Sequence, residues 1–318
     1  MATLRERLLA KIKSLNETVW EGRATEPAVR DWLEGFDPVV PGGDDERLHA
    51  LYLLSNFVYF GSREVRALLE AMYRDLYKYP IVESIRKAND NTTDAAVIAS
   101  LFRPELTRTR FLGVGNPAES GCHLLYYFRQ ENALPRNLFL HTHQVFDRHG
   151  GMSPVTLRWP EVTRYVFIDD FCGSGRQGVA YSRDIVDDLK RLKADLFVAY
   201  YVLVATSDGI RVVRDQTAFD SAQCLYELDT SFRCFSDESR FFGNGQEGIE
   251  KAAAERTCRK HGRRLWPEHP LGYDDCQLLM GFHHNTPDNT LPIIWYDDPD
   301  GPPWAPIFRR YPKVYGGL

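Results

Sequence analysis

With 318 residues, 43% of them hydrophobic and 26% charged, the chain has the make-up of an ordinary soluble globular protein of one large domain or two small ones. Its formal charge of −5, from 39 Lys and Arg against 44 Asp and Glu, provides no overall basic field, so composition carries no strong nucleic-acid signal. Six cysteines without a C-x-x-C spacing argue against a zinc ribbon, and a charged, helical start with no apolar run of spanning length makes a cytoplasmic protein with free thiols the expectation.

The first hundred residues read as helices. Leu4, Leu8, Leu9, Ile12 and Leu15 recur at helical spacing. Apolar-periodic segments follow at 47–59 and 63–85, the first with Leu48, Leu51, Leu54, Phe57 and Val58 on its buried face. Gly61-Ser62 joins the two, with Ser62 a candidate N-cap. Pro41-Gly42-Gly43 marks a loop, and a further helix is expected over 93–102, stopping before Pro104.

From about residue 107 the period changes. Strands are expected at 108–114, 137–141, 164–169, 196–205 and 223–228, with helices at 119–132, 178–192 and 208–216 between them. This alternation predicts an α/β fold, a parallel, doubly wound sheet of about five strands whose active face lies at the strand C-termini. Beyond about residue 230 the pattern loosens, with one helix near 246–261 and two further strands at 278–282 and 291–295. The expected organisation is an N-terminal helical region, 1–104, then an α/β domain, 105–318, whose last part from about 230 is an irregular hood.

The segment Val166-Phe167-Ile168-Asp169-Asp170-Phe171-Cys172-Gly173-Ser174-Gly175-Arg176-Gln177 carries the most chemistry. It is a buried strand, two adjacent acids, and a glycine-rich loop opening a helix. Backbone N–H groups of such a loop suit a phosphate, and the carboxylates suit neighbouring ribose hydroxyls. Gly173 to Gly178 also matches G-x-G-x-x-G, the dinucleotide fingerprint. That reading wants an acid at the end of the next strand, which here ends Ala205-Thr206-Ser207, and it gives Asp169 and Asp170 no task.

The same residues resemble the type I phosphoribosyltransferase signature: four apolar residues, two acids, two mostly apolar residues, then a small-residue loop containing Gly. More narrowly, the chain resembles the divergent phosphoribosyltransferase-like domain of bacterial conflict systems, including retron-type anti-phage operons. Gly115-Asn116-Pro117-Ala118-Glu119-Ser120-Gly121, Pro270-Leu271-Gly272-Tyr273 and His284 to Pro292 carry this narrower likeness, which spans about 105–310. The resemblance implies binding of phosphoribosyl pyrophosphate with Mg²⁺. Phosphoribose would pass to an acceptor, or the glycosidic bond of a nucleotide would be cleaved. It further implies an anti-phage effector controlled by a regulatory protein or ribonucleoprotein partner. By this likeness Asp169 and Asp170 are the catalytic and metal-binding pair, and Gly173, Ser174, Gly175, Arg176 and Gln177 hold the 5′-phosphate. Gly115, Asn116, Ser120 and Arg148 face pyrophosphate, and Asn285 and Asn289 the acceptor. The chain departs from the signature at Gly173, where many members have Asp or Thr, and at Gln177, where many have Thr. Without an acid at the first place, proton transfer from a base loses its helper.

Three readings stay open beside these. The stretch from His141-Thr142-His143 to Val162 lacks periodicity, as functional loops do, and His143, Arg148 or Arg158 would then neutralise pyrophosphate. A metal site from His141, His143 and His149 competes with that. The turn His283 to Thr290 is structural by composition or a cover over the acceptor. The alternative for the whole chain is a catalytically silent nucleotide-binding sensor or scaffold that signals to a partner.

Overall fold

The computed structural model describes residues 2–39, 43–115, 120–147, 155–243, 245 and 248–310. Contacts divide the chain into two compact units, residues 65–227 and residues 1–64 with 228–318. The boundary expected at residue 104 was drawn on a change of period, whereas this division follows long-range packing.

In the 65–227 unit, β1 (Thr109–Gly113), β2 (Arg164–Cys172), β3 (Phe197–Thr206) and β4 (Ser221–Leu228) form one sheet in the order β1-β2-β3-β4. β1 pairs parallel with β2, Thr109 opposite Arg164, and β2 parallel with β3, Arg164 opposite Phe197. All five residues of β1 are buried, as are nine of the ten in β3. Strands covered on both faces read as continuous apolar runs, as β3 does, whereas β1 opens on the buried polar pair Thr109-Arg110. Alternate residues of β1 feed opposite faces. Phe111 packs on Phe128 at 5.2 Å and Tyr77 at 5.1 Å between ring centroids, while Leu112 joins Tyr165, Phe167, Ile185 and Val213.

Helix α1 (Ser120–Glu131) connects β1 to β2. Helix α2 connects β2 to β3, running from Arg176–Tyr181 through a π-helical stretch, Ser182–Val186, into Asp187–Leu192. Helix α3 (Ser207–Gln216) connects β3 to β4. The α/β fold with a parallel sheet is as expected, but the sheet has four strands. Residues 137–141 instead form a 3₁₀ turn, Arg136–Leu138, and one parallel bridge, Phe111 to Phe139. The Phe139 N–H closes that turn on Arg136 O at 3.1 Å, so it is lost to a ladder.

The other unit packs helices Leu4–Thr18, Glu26–Glu34, Glu46–Leu54 and Lys251–Leu265 around Trp20, Trp32, Leu51, Ile293 and Phe308. Strand Val58–Phe60 pairs parallel with Met280–Phe282. The helix expected over 47–59 therefore ends early, because β-branched and aromatic residues favour the strand. Ser62 lies in the first turn of helix Ser62–Ala71 instead of capping it, its hydroxyl donating to Glu21 Oε1 at 2.6 Å. The strand expected at 291–295 is a short helix, Pro292–Trp295: all four residues are buried, so periodicity is silent, and Pro at the first helical position decides. In the 65–227 unit, helix Ala95–Thr107 runs through Pro104. It buries no residue, so water can take the carbonyl that proline leaves unbonded. Among the described residues no helix is long and apolar enough to cross a membrane.

Candidate functional site

Asp169 and Asp170 lie near the C-terminal end of β2, where pairing with β3 continues to Cys172 opposite Ala205. They are only 4% and 9% exposed. Tyr200, on β3, donates its hydroxyl to Asp169 Oδ2 at 2.9 Å, and the Asp170 N–H donates to Asp169 Oδ1 at 3.0 Å. Phe171 N–H donates to Asp170 Oδ1 at 2.9 Å. Burial, and then the neighbouring Asp170, holds the Asp169 carboxyl well above the usual carboxylate range. Burial likewise pushes the Cys172 thiol up to about 12, so this cysteine is an inert packing residue.

The loop after the acids is fixed by backbone contact. Gly175 has φ +76°, a left-handed conformation that favours glycine, and no side chain caps the helix that begins at Arg176. Ser174 is half-buried, and Arg176 and Gln177 are exposed. Thr206, the N-cap of α3, pins the loop from below: its Oγ1 donates to Gly173 O at 2.5 Å and accepts from Gly209 N–H at 2.9 Å. A Cβ on Gly209 would stand 2.1 Å from Gly173 O. Thr206→Val is expected to remove both bonds and cost about 1–2 kcal/mol in chemical denaturation, with Thr206→Ser restoring most of it. Equal midpoints for Thr206→Val and the wild type would show that the pin is idle.

A second feature opens beyond the end of β1. A cavity of about 610 Å³ is lined by Gly113, Gly115, His141, His143, Arg158 and Tyr181, among others. The Tyr181 and Thr142 hydroxyls are 2.6 Å apart and tie α2 to the His141 segment. The His141 and His143 rings stack at 5.7 Å, and Arg158 Nε donates to Asp147 Oδ1 at 2.7 Å.

The structure thus brings Gly115, with φ +94°, together with His143 and Arg158, while Asp169, Asp170 and the loop from Gly173 to Gln177 form a separate group at the end of β2. Ser120 opens α1. Asn116, Arg148 and His149 lie outside the described residues. Among the described residues no three of His, Cys, Asp and Glu are grouped to hold a metal ion. Asn285 and Asn289 belong to the other unit. Asn289 is buried there and donates its amide to Tyr273 O and Cys276 Sγ, each at 3.2 Å, while Asn285 Oδ1 accepts from Thr286 N–H at 3.0 Å.

Sequence reasoning missed Tyr200, Thr206 and Gly209. Tyr200 passes for core in an apolar strand. Thr206-Ser207-Asp208-Gly209 does carry a legible cap signal, but not the loop it would touch.

A model of the PRTase-CE family matches residues 29–310, most of the chain. The chain belongs to the PRTase-CE family. Its acid pair, glycine loop and cavity residues all lie inside the match. Solved structures similar to this PRTase-CE protein include orotate phosphoribosyltransferase from Aeropyrum pernix, 15% identical, over 51% of this chain and 76% of that one, with a TM-score of 0.25. The xanthine-guanine-hypoxanthine phosphoribosyltransferase of Helicobacter pylori is 7% identical over 54% of this chain and 89% of that one, TM-score 0.26. The hypoxanthine phosphoribosyltransferase of Trypanosoma cruzi is 11% identical over 54% and 82%, TM-score 0.27. No curated protein matches the chain.

Proposed function

We propose that the protein binds phosphoribosyl pyrophosphate at the C-terminal edge of its sheet and transfers phosphoribose to an acceptor. The observation that carries this is the order of parts along β2 and α2 in a PRTase-CE chain. Two adjacent buried acids are followed by a left-handed glycine and then a helix start that no side chain caps. The carboxyls of Asp169 and Asp170 accept the ribose hydroxyls, and the amides from Gly173 to Gln177 hold the 5′-phosphate. Pyrophosphate lies toward Gly115, His143 and Arg158, with Asn116, Ser120 and Arg148 the further candidates to hold it. The bond from C1 to the pyrophosphate oxygen breaks and a bond from C1 to the acceptor forms. The carboxylates stabilise the positive charge that develops on the ribose.

The donor chemistry at Asp169 and Asp170 suits Mg²⁺, since two hard oxygen donors are held side by side. With no third acidic or histidine ligand grouped there among the described residues, ligand oxygens and water would complete its shell. When bound, the ion would supply charge neutralisation for the departing pyrophosphate.

A second reading is favoured by one observation: both Asp169 oxygens are already engaged, by Tyr200 and by the Asp170 N–H. A ligand-binding protein that does no chemistry would keep such a closed pair. One experiment separates the readings. In isothermal titration with Mg²⁺ present, phosphoribosyl pyrophosphate is expected to bind the wild type, and Asp170→Asn to weaken binding about 10- to 100-fold, the worth of one charged hydrogen bond. Slow release of pyrophosphate from the bound ligand marks a transferase, and tight binding without release marks the silent form. Equal affinities for wild type and Asp170→Asn would remove the acid pair from the site.

A further inference from the structure

The unit formed by residues 1–64 and 228–318 has a cavity of its own, about 300 Å³, lined in part by Arg23, Tyr59, Phe282, His284, Asn285 and Arg309. That volume lies at the small end of the range for small-molecule sites, enough for one compact ligand. Its lining joins two kinds of group. One is aromatic: the half-buried His284 ring stacks at 5.3 Å, with 24° between planes, on Phe282, which is buried and stacks in turn on Phe60. The other is cationic, with two guanidinium groups and, among the described lining residues, no Asp or Glu.

Hydrogen-bond and ion-pair contacts place both cations. Arg23 Nη2 donates to the His283 carbonyl at 3.2 Å, which sets the arginine beside the paired histidines. His283 N–H is itself bonded to Phe60 O at 2.9 Å, so the turn is anchored to the sheet pair beneath it. Each cation has an acid near it. Glu21, which faces Arg23 and His283, accepts the Ser62 N–H at 2.7 Å and the Ser62 hydroxyl at 2.6 Å. Arg309 meets Asp297 at 3.4 Å, but its side chain is 66% exposed. A surface pair of that kind is weak and yields to a phosphate, which a guanidinium grips by two parallel bonds.

We propose that this cavity is a binding site for a nucleoside monophosphate. The base stacks on the His284 ring, which Phe282 backs, and Arg23 and Arg309 take the phosphate. Aromatic platforms accept any base, since every base has a π-face, while the phosphate supplies the charge that the two arginines call for. The site belongs to a different unit from the acid pair, and its occupancy does not depend on phosphoribosyl transfer.

The test uses the full chain and the four ribonucleoside 5′-monophosphates, each titrated by calorimetry, with inorganic phosphate and the parent nucleosides as partial probes. At least one monophosphate is expected to bind, at least 10-fold more tightly than either of its parts. Arg23→Gln with Arg309→Gln, two changes at exposed positions, is expected to weaken that binding at least 10-fold with the unfolding midpoint unchanged. Asp169→Asn with Asp170→Asn is expected to leave it intact, which separates this site from the sheet edge. The proposal is overturned if no monophosphate binds, if the nucleoside binds as tightly as its monophosphate, or if binding survives the arginine changes and is lost with the acid pair.

Discussion

Asp169→Asn is expected to raise stability at neutral pH and at the same time to abolish the pH dependence of ligand binding. Asp169 is buried against Tyr200 and shares a hydrogen bond with Asp170, and burial first, then its neighbour, raises its pKa. A group whose folded pKa lies above its unfolded value stabilises the fold fully only below the unfolded value, about 3.9 for Asp. That contribution is lost as pH rises through the folded pKa. At pH 4 the protonated wild type and the neutral amide should therefore unfold at similar temperatures. As pH rises toward 8 the wild type pays for ionising a buried carboxyl and the variant does not. The gap grows by roughly 1.4 kcal/mol for each unit of upward shift, and each kcal/mol is about 2–4 °C in a unit of this size. Thermal unfolding of both proteins between pH 4 and 8 reads it directly.

Binding runs the other way. Ribose hydroxyls donate best to ionised carboxyls, so the raised pKa of Asp169 works against the proposed ligand until the carboxyl ionises. Affinity of the wild type for phosphoribosyl pyrophosphate is then expected to rise with pH over the range in which its stability falls. In Asp169→Asn, affinity should be at least 10-fold lower at pH 8 and flat with pH. A variant less stable than wild type at pH 8, with no such loss at pH 4, would mean that Asp169 is ionised and well satisfied in the free protein. A site that is costly when empty and favourable when filled is where function and stability are expected to conflict.

How much of this was legible in the sequence depends on the range over which each feature is written. The acid pair and glycine loop are encoded in some ten consecutive residues, and the strand and helix around them follow from local period, so both could be read. Tyr200 could not: its role depends on parallel pairing that sets Asp169 opposite Val202 and leaves the tyrosine hydroxyl within reach. In sequence it is one aromatic among apolar neighbours. The grouping of residues 1–64 with 228–318 was equally hidden. Trp32 Nε1 donates to Ile293 O at 2.7 Å across 261 residues, and no local pattern announces such a bond. The fifth strand failed because Asn137 to His141 has strand composition while Pro135 turns the chain into a 3₁₀ step.

Gly209→Ala should cost the protein both stability and the shape of its Gly173–Gly175 loop, although alanine is the better helix former. Gly209 lies in the first turn of α3, and its φ is not in the left-handed region, so the backbone raises no objection to a side chain. In an open helix the change would gain up to about 1 kcal/mol. Here the new methyl would stand 2.1 Å from Gly173 O, 2.8 Å from Gly173 C and 2.9 Å from Cys172 O. All three are main-chain atoms, which cannot rotate away as a side-chain tip would. The contact is reciprocal, because a Cβ on Gly175 would meet Gly209 O at 2.6 Å. Relief requires the loop from Gly173 to Gly175 to lift off α3, breaking the Thr206 bond to Gly173 O. Overpacking of this kind costs about 1–3 kcal/mol, and loop amides proposed to hold a phosphate lose their convergence on it when displaced by about half an ångström. Gly243→Ala is the control, since nothing lies within 4 Å of the Cβ it would add. The expected result is a lowered unfolding midpoint and at least a 10-fold loss of phosphoribosyl pyrophosphate affinity in Gly209→Ala, with neither in Gly243→Ala. If Gly209→Ala keeps full affinity while losing stability, the loop has moved without consequence and the ligand's phosphate is held elsewhere.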